Sequence, residues 1–126
     1  MPATETVTIR GIDITTYLIK DAERAKKFWG ETMGLKMTQD YGPHGGEYAF
    51  SDGTTFGLYR LEDGAWHPSG WALFNVDDLD KAVEYYKSRG VKIHEGIEDT
   101  PVCKMAFAED SEGNEFILHE RKGGRD

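Results

Sequence analysis

Two stretches decide the fold of this chain: IDITTYLIKD at residues 12–21 and WALFNVDD at residues 71–78. Each alternates in polarity as a β-strand does and ends at an aspartate that can cap a helix, Asp21 or Asp78. Apolar residues at helical spacing follow both aspartates, and each helical pattern stops at a glycine, Gly34 or Gly90. One structural unit is therefore present twice in the sequence.

Each helical pattern is followed by three further strand patterns, so that both units are predicted to be βαβββ modules. We expect one domain over residues 1–126. Its parts are an N-terminal arm (1–11), whose alternation predicts a strand over 6–10, a first module (about 12–62), a linker (63–70) and a second module (about 69–120). The predicted later strands lie near 36–40, 47–51, 55–61, 91–95, 104–108 and 115–120.

The amino-acid composition argues against some classes of binding partner. The 126 residues include 15 Lys and Arg against 23 Asp and Glu, and the resulting charge of −8 opposes binding to nucleic acid or an anionic membrane. No apolar run approaches the length of a membrane span. Cys103 is the single cysteine and cannot form an intrachain disulfide, and the N-terminal residues lack the pattern of a secretory signal. These features predict a cytoplasmic protein.

The tandem βαβββ pattern, together with DSEGNEF at residues 110–116, resembles the vicinal oxygen chelate superfamily. Its members include glyoxalases, extradiol dioxygenases, fosfomycin-resistance transferases and bleomycin-resistance proteins. The resemblance implies an α+β fold in which two curled four-stranded sheets surround a cleft, with the helices on the outer faces. It also implies that the cleft is often completed in a homodimer.

Enzymes of that superfamily hold a divalent metal ion with one residue from the first strand and one from the last strand of each module. The resemblance places these four positions at Ile14, Gly57, Trp71 and Ile117. None of the four side chains carries an imidazole, carboxylate or thiolate that could bind a divalent ion. We therefore predict no metal site and no cofactor.

If these four residues face the cleft, strand alternation turns further side chains towards it. Trp71 is the foremost candidate because its indole offers a stacking face, although it could equally be a plug that completes the core. Tyr59 and His119 occupy equivalent repeat positions and are expected to face each other. Trp66, in the linker, is a candidate lid. The predicted ligand-binding residues are Ile14, Gly57, Tyr59, Trp66, Trp71, Asn75, Glu115, Ile117 and His119.

Two functions fit this lining. The first is a metal-free binding protein similar to bleomycin-resistance proteins, which sequesters an aromatic and cationic small molecule such as an antibiotic. The alternative is a glyoxalase-like lyase or a dioxygenase-like oxidoreductase, with a non-standard metal site or with His119 and Tyr59 as acid and base. A dimeric scaffold without a ligand is a third possibility, disfavoured by the polar groups expected in the cleft.

Overall fold

The computed structural model describes residues 7–123, and each module contains one main helical segment and a set of short strands. The first module also has a short 3-10 helix, Gly42–His44. In the first module the helix α1 continues directly into a π-helical turn, Phe28–Thr32. The elements are β1 (Ile14–Leu18), α1 (Ala22–Lys27), β2 (Gln39–Asp40), β3 (Gly45–Ala49), β4 (Thr55–Tyr59), β5 (Ala72–Asn75), α2 (Leu79–Ser88), β6 (Lys92–Ile93), β7 (Glu98–Asp99), β8 (Cys103–Glu109) and β9 (Glu115–Arg121).

The strands form two separate mixed sheets, one for each module. The first sheet has the order β1-β4-β3-β2, and the second has the order β5-β9-β8-β6 with β7 also paired to β8. In both sheets the first strand runs parallel to the last strand of its module and occupies the sheet edge. The predicted α+β class and the duplicated plan are confirmed, and the two sheets do not close into a barrel.

Both helices begin where the sequence predicts. The Asp21 carboxylate accepts a hydrogen bond from the Arg24 N–H at 3.0 Å, and Asp78 accepts one from the Lys81 N–H at 3.1 Å. These bonds satisfy N–H groups that have no partner inside the first turn of a helix. Beyond each helical segment comes a predicted glycine in the left-handed region, Gly34 (φ 82°) in the first module and Gly90 (φ 88°) in the second.

The core lies on the helix side of both sheets and is shared by the two modules. Trp29 is fully buried at its centre, with ring centroids 4.7 Å from Phe56, 4.9 Å from Phe116 and 5.2 Å from Phe74. Phe56 belongs to the first sheet, whereas the other two phenylalanines belong to the second. The aromatic contacts therefore join the modules into one packed unit.

The loop at residues 110–114 ties the second module to the first through buried polar groups. Asp110 accepts hydrogen bonds from the Trp29 indole at 3.2 Å and from the Asn114 N–H at 2.8 Å. Asn114 in turn donates to the Leu18 carbonyl at 3.0 Å and accepts from the Ser69 N–H at 2.8 Å. Burial is the main cause that raises the pKa of Asp110 above its usual value.

The observed strands differ from the sequence-based expectation in two places. The second sheet has five strands rather than four, because β7 pairs with β8 across a turn in which Thr100 accepts the N–H groups of Val102 and Cys103. A two-residue strand is too short to show as a periodic pattern. The predicted arm strand is absent from its described part, residues 7–10, while Thr6 lies outside the described residues. Within residues 7–123, no helix is both long enough and apolar enough to cross a membrane.

Candidate functional site

The side of each sheet that faces away from the helices carries most of the predicted site residues. Along β1, Tyr17 is buried towards the helices whereas Ile14 and Thr16 are exposed on the opposite side. Leu73 in β5 and Trp71, directly before that strand, are exposed in the same way. We call these surfaces the first outer face and the second outer face, because side chains alternate between the two sides of a strand.

The first outer face is centred on Gly57. A Cβ atom at this position would lie 3.1 Å from Thr16 Oγ1, 3.4 Å from Ile14 Cγ2 and 3.8 Å from Glu47 Cγ. Gly57 pairs in regular register with Thr16 and Glu47, so it marks a close cross-strand approach rather than a bulge. Tyr59 lies on the same face and stacks at a centroid distance of 6.3 Å on His44.

The second outer face is centred on Trp71. Its indole N–H donates to Glu115 Oε1 at 3.2 Å, and its ring packs edge-on against Phe107 at 5.7 Å. The indole is nevertheless 61% exposed. Ile117 lies buried in β9, directly between Leu73 and Phe107 in the strand register. Trp71 is therefore held in place while most of its surface stays accessible, which argues against the interpretation of this residue as a core plug.

Charged residues border the second outer face at one end. His94 Nε2 lies 3.9 Å from Glu115 Oε2 and 3.8 Å from Glu109 Oε2, and Lys92 Nζ lies 2.8 Å from Glu109. The hydrogen bond from Lys92 is the main cause that lowers the pKa of Glu109. Glu109 and Glu115 are direct cross-strand partners. Two carboxylates opposite each other repel, and the Lys92 ammonium beside Glu109 relieves that repulsion.

The remaining predicted residues are divided between the faces. His119 pairs in register with Asn75 on β5, at the other end of the second outer face from Glu115. The ring beside Tyr59 is His44 rather than His119, and within residues 7–123 no hydrogen bond or ring contact joins the two outer faces. Trp66 is half-buried, and no partner for its indole N–H occurs among those residues.

The four positions that the resemblance assigns to a metal ion do not fit one here. Ile14, Gly57, Trp71 and Ile117 occupy the outer faces as predicted from the strand pattern, and they offer two aliphatic side chains, one indole and no side chain at all. Elsewhere in the described part of the chain, no group of three or more His, Cys, Asp and Glu residues is arranged to hold a metal ion.

Sequence reasoning missed several residues that the structure adds to the site. Phe107 and Glu109 lie on the second outer face, and the alternation of β8 could have identified both, since Ala106 and Ala108, which alternate with them, are fully buried. His94 follows a two-residue strand and gave no signal of its own.

Two cavities open elsewhere on the surface. A crevice of about 520 Å³ separates the β3–β4 hairpin from β5, and Trp71 and Asn75 reach its rim. A groove of about 650 Å³ at the start of α1 is bordered by Arg24 and Lys26, which are both ion-paired, to Glu112 and Asp40 respectively.

Solved structures with this architecture cover nearly the whole chain. TnmS3, an antibiotic binding protein from Streptomyces sp. CB03234, is 24% identical, with a TM-score of 0.74 over 93% of this chain and 100% of that one. A glyoxalase/bleomycin resistance protein/dioxygenase superfamily member from Sphaerobacter thermophilus is 25% identical, with a TM-score of 0.72 over 89% and 98%. A lactoylglutathione lyase from Agrobacterium tumefaciens is 17% identical, with a TM-score of 0.73 over 89% and 94%.

The sequence itself also matches a family model. No curated protein matches the chain at a significant level. The model of the Glyoxalase/Bleomycin resistance protein/Dioxygenase superfamily matches residues 11–118, which is most of the chain. That range begins before β1 and ends within β9, so it includes both modules. The chain therefore belongs to the glyoxalase/bleomycin resistance protein/dioxygenase superfamily.

Proposed function

We propose that this chain is a metal-free binding protein that sequesters a small aromatic molecule on its outer faces. The proposal rests on the observation that Trp71 is both ordered and exposed. Glu115 and Phe107 fix its orientation, although the residue is 61% exposed. An indole that is already fixed in orientation loses little conformational entropy when a ligand ring stacks on it. TnmS3, which has the same fold, is an antibiotic binding protein.

The charge of the site favours a ligand that carries a positive group. Glu115 accepts the indole N–H, Glu109 is the cross-strand partner of Glu115, and the whole chain has a charge of −8. A cation near Trp71 would gain from both the carboxylates and the face of the ring. On the remainder of the two faces, Asn75, His119 and Tyr59 would orient the ligand through hydrogen bonds.

A second copy of the chain would complete the site. Ile14, Tyr59, Trp71 and Leu73 are large apolar side chains that remain exposed in the single chain. Since Tyr59 and His119 make no contact within one chain, they could approach each other only if a first outer face met a second outer face from another copy. Exposed apolar surface of this kind is typical of interfaces. Sedimentation velocity tests this homodimer: we expect about twice the mass of one chain, and a monomer at micromolar concentration would contradict it.

The binding function is tested by metal content and by ligand titration. Elemental analysis of protein grown with zinc, nickel, iron and manganese, and purified without a metal-affinity tag, is expected to find no bound ion. About one ion per chain would instead support the enzymatic alternative. We expect bleomycin, or another compound from a panel of cationic aromatic antibiotics, to quench the tryptophan fluorescence. Cytoplasmic residence stays a prediction, in keeping with the single Cys103.

Trp71→Ala is the decisive variant. Loss of the stacking indole is expected to weaken binding by about 1 to 3 kcal/mol. The matched control is Tyr85→Ala, which removes an exposed aromatic ring from α2, away from both outer faces. Equal affinities of the two variants would refute the assignment of Trp71.

A further inference from the structure

We propose that the crevice between the β3–β4 hairpin and β5 binds a second kind of ligand: one flat, uncharged, largely apolar molecule, held within a single chain. The crevice is bordered by residues 50–55 on one side and by residues 71–76 on the other. Its volume of about 520 Å³ lies within the range of pockets that hold drug-sized molecules. Trp71, Leu73 and Asn75 border both the crevice and the second outer face, but the crevice lies on the helix side of the sheets, where Trp29 and Tyr86 also line it.

The inner wall of the crevice is aromatic and already ordered. Phe74 lines it with part of its surface exposed, and its ring packs at 5.2 Å against Trp29, which together with Phe56 also borders the crevice but is buried. Phe50, from the hairpin, contacts Phe74 edge-on at 6.3 Å. Rings that are fixed before a ligand arrives lose little conformational entropy on binding, and they favour a flat aromatic partner.

The rim of the crevice supplies hydrogen-bonding groups from an unpaired strand edge. The Val76 N–H bonds to the His119 carbonyl at 2.9 Å, on the side of β5 that faces β9. Backbone groups of successive residues point to opposite sides of a strand, so those of Leu73 and Asn75 point away from β9. Since β5 is the edge strand of its sheet, these N–H and C=O groups border the crevice. A ligand with one or two hydrogen-bonding groups can use them.

The lining also specifies the charge of the ligand. Among residues 7–123 that line the crevice, Asp52 is the one with a carboxylate, and none carries a Lys or Arg side chain. Asp52 already accepts hydrogen bonds from the N–H and hydroxyl of Thr54, at 3.0 and 2.6 Å. The crevice therefore differs from the second outer face, where Glu109, Glu115 and His94 lie close together, and it suits a neutral molecule.

Two neighbouring threonines allow the crevice and the outer faces to be tested separately. Thr15 lines the crevice, whereas Thr16 lies on the first outer face beside Gly57. Both are exposed and both belong to β1. Thr15→Phe would place a ring in the crevice, and Thr16→Phe makes the same chemical change on the opposite side of the strand.

The probe is prodan, a neutral naphthalene ketone whose emission shifts to the blue in apolar surroundings. We expect saturable binding of about one prodan per chain, weakened by about tenfold or more in Thr15→Phe and by less than about twofold in Thr16→Phe. Ser51→Phe, at the exposed hairpin turn that borders the crevice, is expected to act as Thr15→Phe does. Urea unfolding establishes that each variant is folded.

Three results would overturn the proposal: no saturable binding, unchanged affinity in both Thr15→Phe and Ser51→Phe, or an equal loss in Thr16→Phe. The last result would place prodan on the outer faces. Trp71 reaches the rim of the crevice as well as the second outer face, so Trp71→Ala alone does not separate the two sites. The threonine pair does, and it distinguishes failure of this proposal from failure of the binding function proposed above.

Discussion

Glu112 connects the loop at residues 110–114 to the start of α1, and Glu112→Gln is expected to destabilise the fold by about 2 kcal/mol at pH 7. Its carboxylate is fully buried and accepts five hydrogen bonds: from the N–H groups of Lys20 and Asp21 at 3.0 and 2.8 Å, from Arg24 at 2.6 and 3.0 Å, and from the Ser111 hydroxyl at 3.1 Å. A glutamine retains one oxygen for the two backbone N–H groups. It loses the charged bonds to Arg24.

The expected loss of stability follows from the lost hydrogen bonds between residue 112 and Arg24 alone. A hydrogen bond to a charged group contributes about 1.5 to 3 kcal/mol to stability. The Arg24 side chain is 52% exposed, so water recovers part of its interaction when the carboxylate is removed. The total is therefore nearer to one charged hydrogen bond than to two, which gives about 2 kcal/mol.

The effect should depend on pH with a defined sign. Burial alone would raise the pKa of Glu112, but the hydrogen bonds from Arg24, Asp21 and Lys20 together lower it. A carboxyl group with a lowered pKa in the folded state stabilises the fold fully above its unfolded pKa, about 4.3. That stabilisation is lost as the pH falls through the lower folded-state pKa. The raised pKa of Asp110 acts in the opposite direction, but it is common to both proteins and cancels in their difference.

Urea unfolding followed by circular dichroism, at pH 7 and in steps down to pH 3, measures this difference. The matched control is Glu23→Gln, which removes an exposed carboxylate from the first turn of α1 and should cost well under about 1 kcal/mol. A difference between Glu112→Gln and the unaltered protein that is below about 0.5 kcal/mol at pH 7, or that does not shrink on acidification, would refute the reasoning.

Three further predictions use the same measurement. Tyr17→Phe should cost about 1 to 3 kcal/mol, because the buried hydroxyl donates to the Glu115 carbonyl and accepts from the Ala72 N–H at 2.7 Å. Tyr48→Phe should change stability by less than about 0.5 kcal/mol at neutral pH, since no partner for its hydroxyl occurs among residues 7–123; a large loss would reveal a missed contact. Burial raises the pKa of Tyr48 to about 12, so the unaltered protein should lose stability relative to this variant as the pH rises from the unfolded value of about 10 towards 12. Gly45→Ala should cost more than about 2 kcal/mol, because φ is 123° and a Cβ would lie 2.0 Å from the Leu58 carbonyl oxygen; a variant as stable as the parent protein would contradict this.

Local sequence patterns predicted the start of each helix correctly, because one short-range hydrogen bond defines it. Asp21 and Asp78 were identified as caps because a capping bond spans only three residues. Trp29 is one of the apolar residues at helical spacing that follow Asp21, and it is fully buried. In contrast, β7 was missed, because its two residues pair through a turn and not through a repeating pattern.

Local sequence patterns predicted only part of the candidate site. Strand alternation placed Ile14, Trp71 and Glu115 on surfaces away from the helices, because a period of two is fixed by the backbone. The expectation that Tyr59 faces His119 rested on their equivalence in the repeat. Equivalence fixes the position of a residue within its module but not the packing of one module against the other, and Tyr59 stacks on His44 within the chain.

The sequence by itself determined the two βαβββ modules, the side of each strand on which a residue lies, and the lack of metal-binding side chains at the four expected positions. Those properties depend on local periodicity and residue chemistry. Only the tertiary structure decided the contacts between modules: the bonds of Glu112 to the start of α1, the aromatic cluster around Trp29, and the crevice beside β5. Such contacts join residues far apart in the chain, and they arise from the fit of two surfaces, which no local pattern encodes.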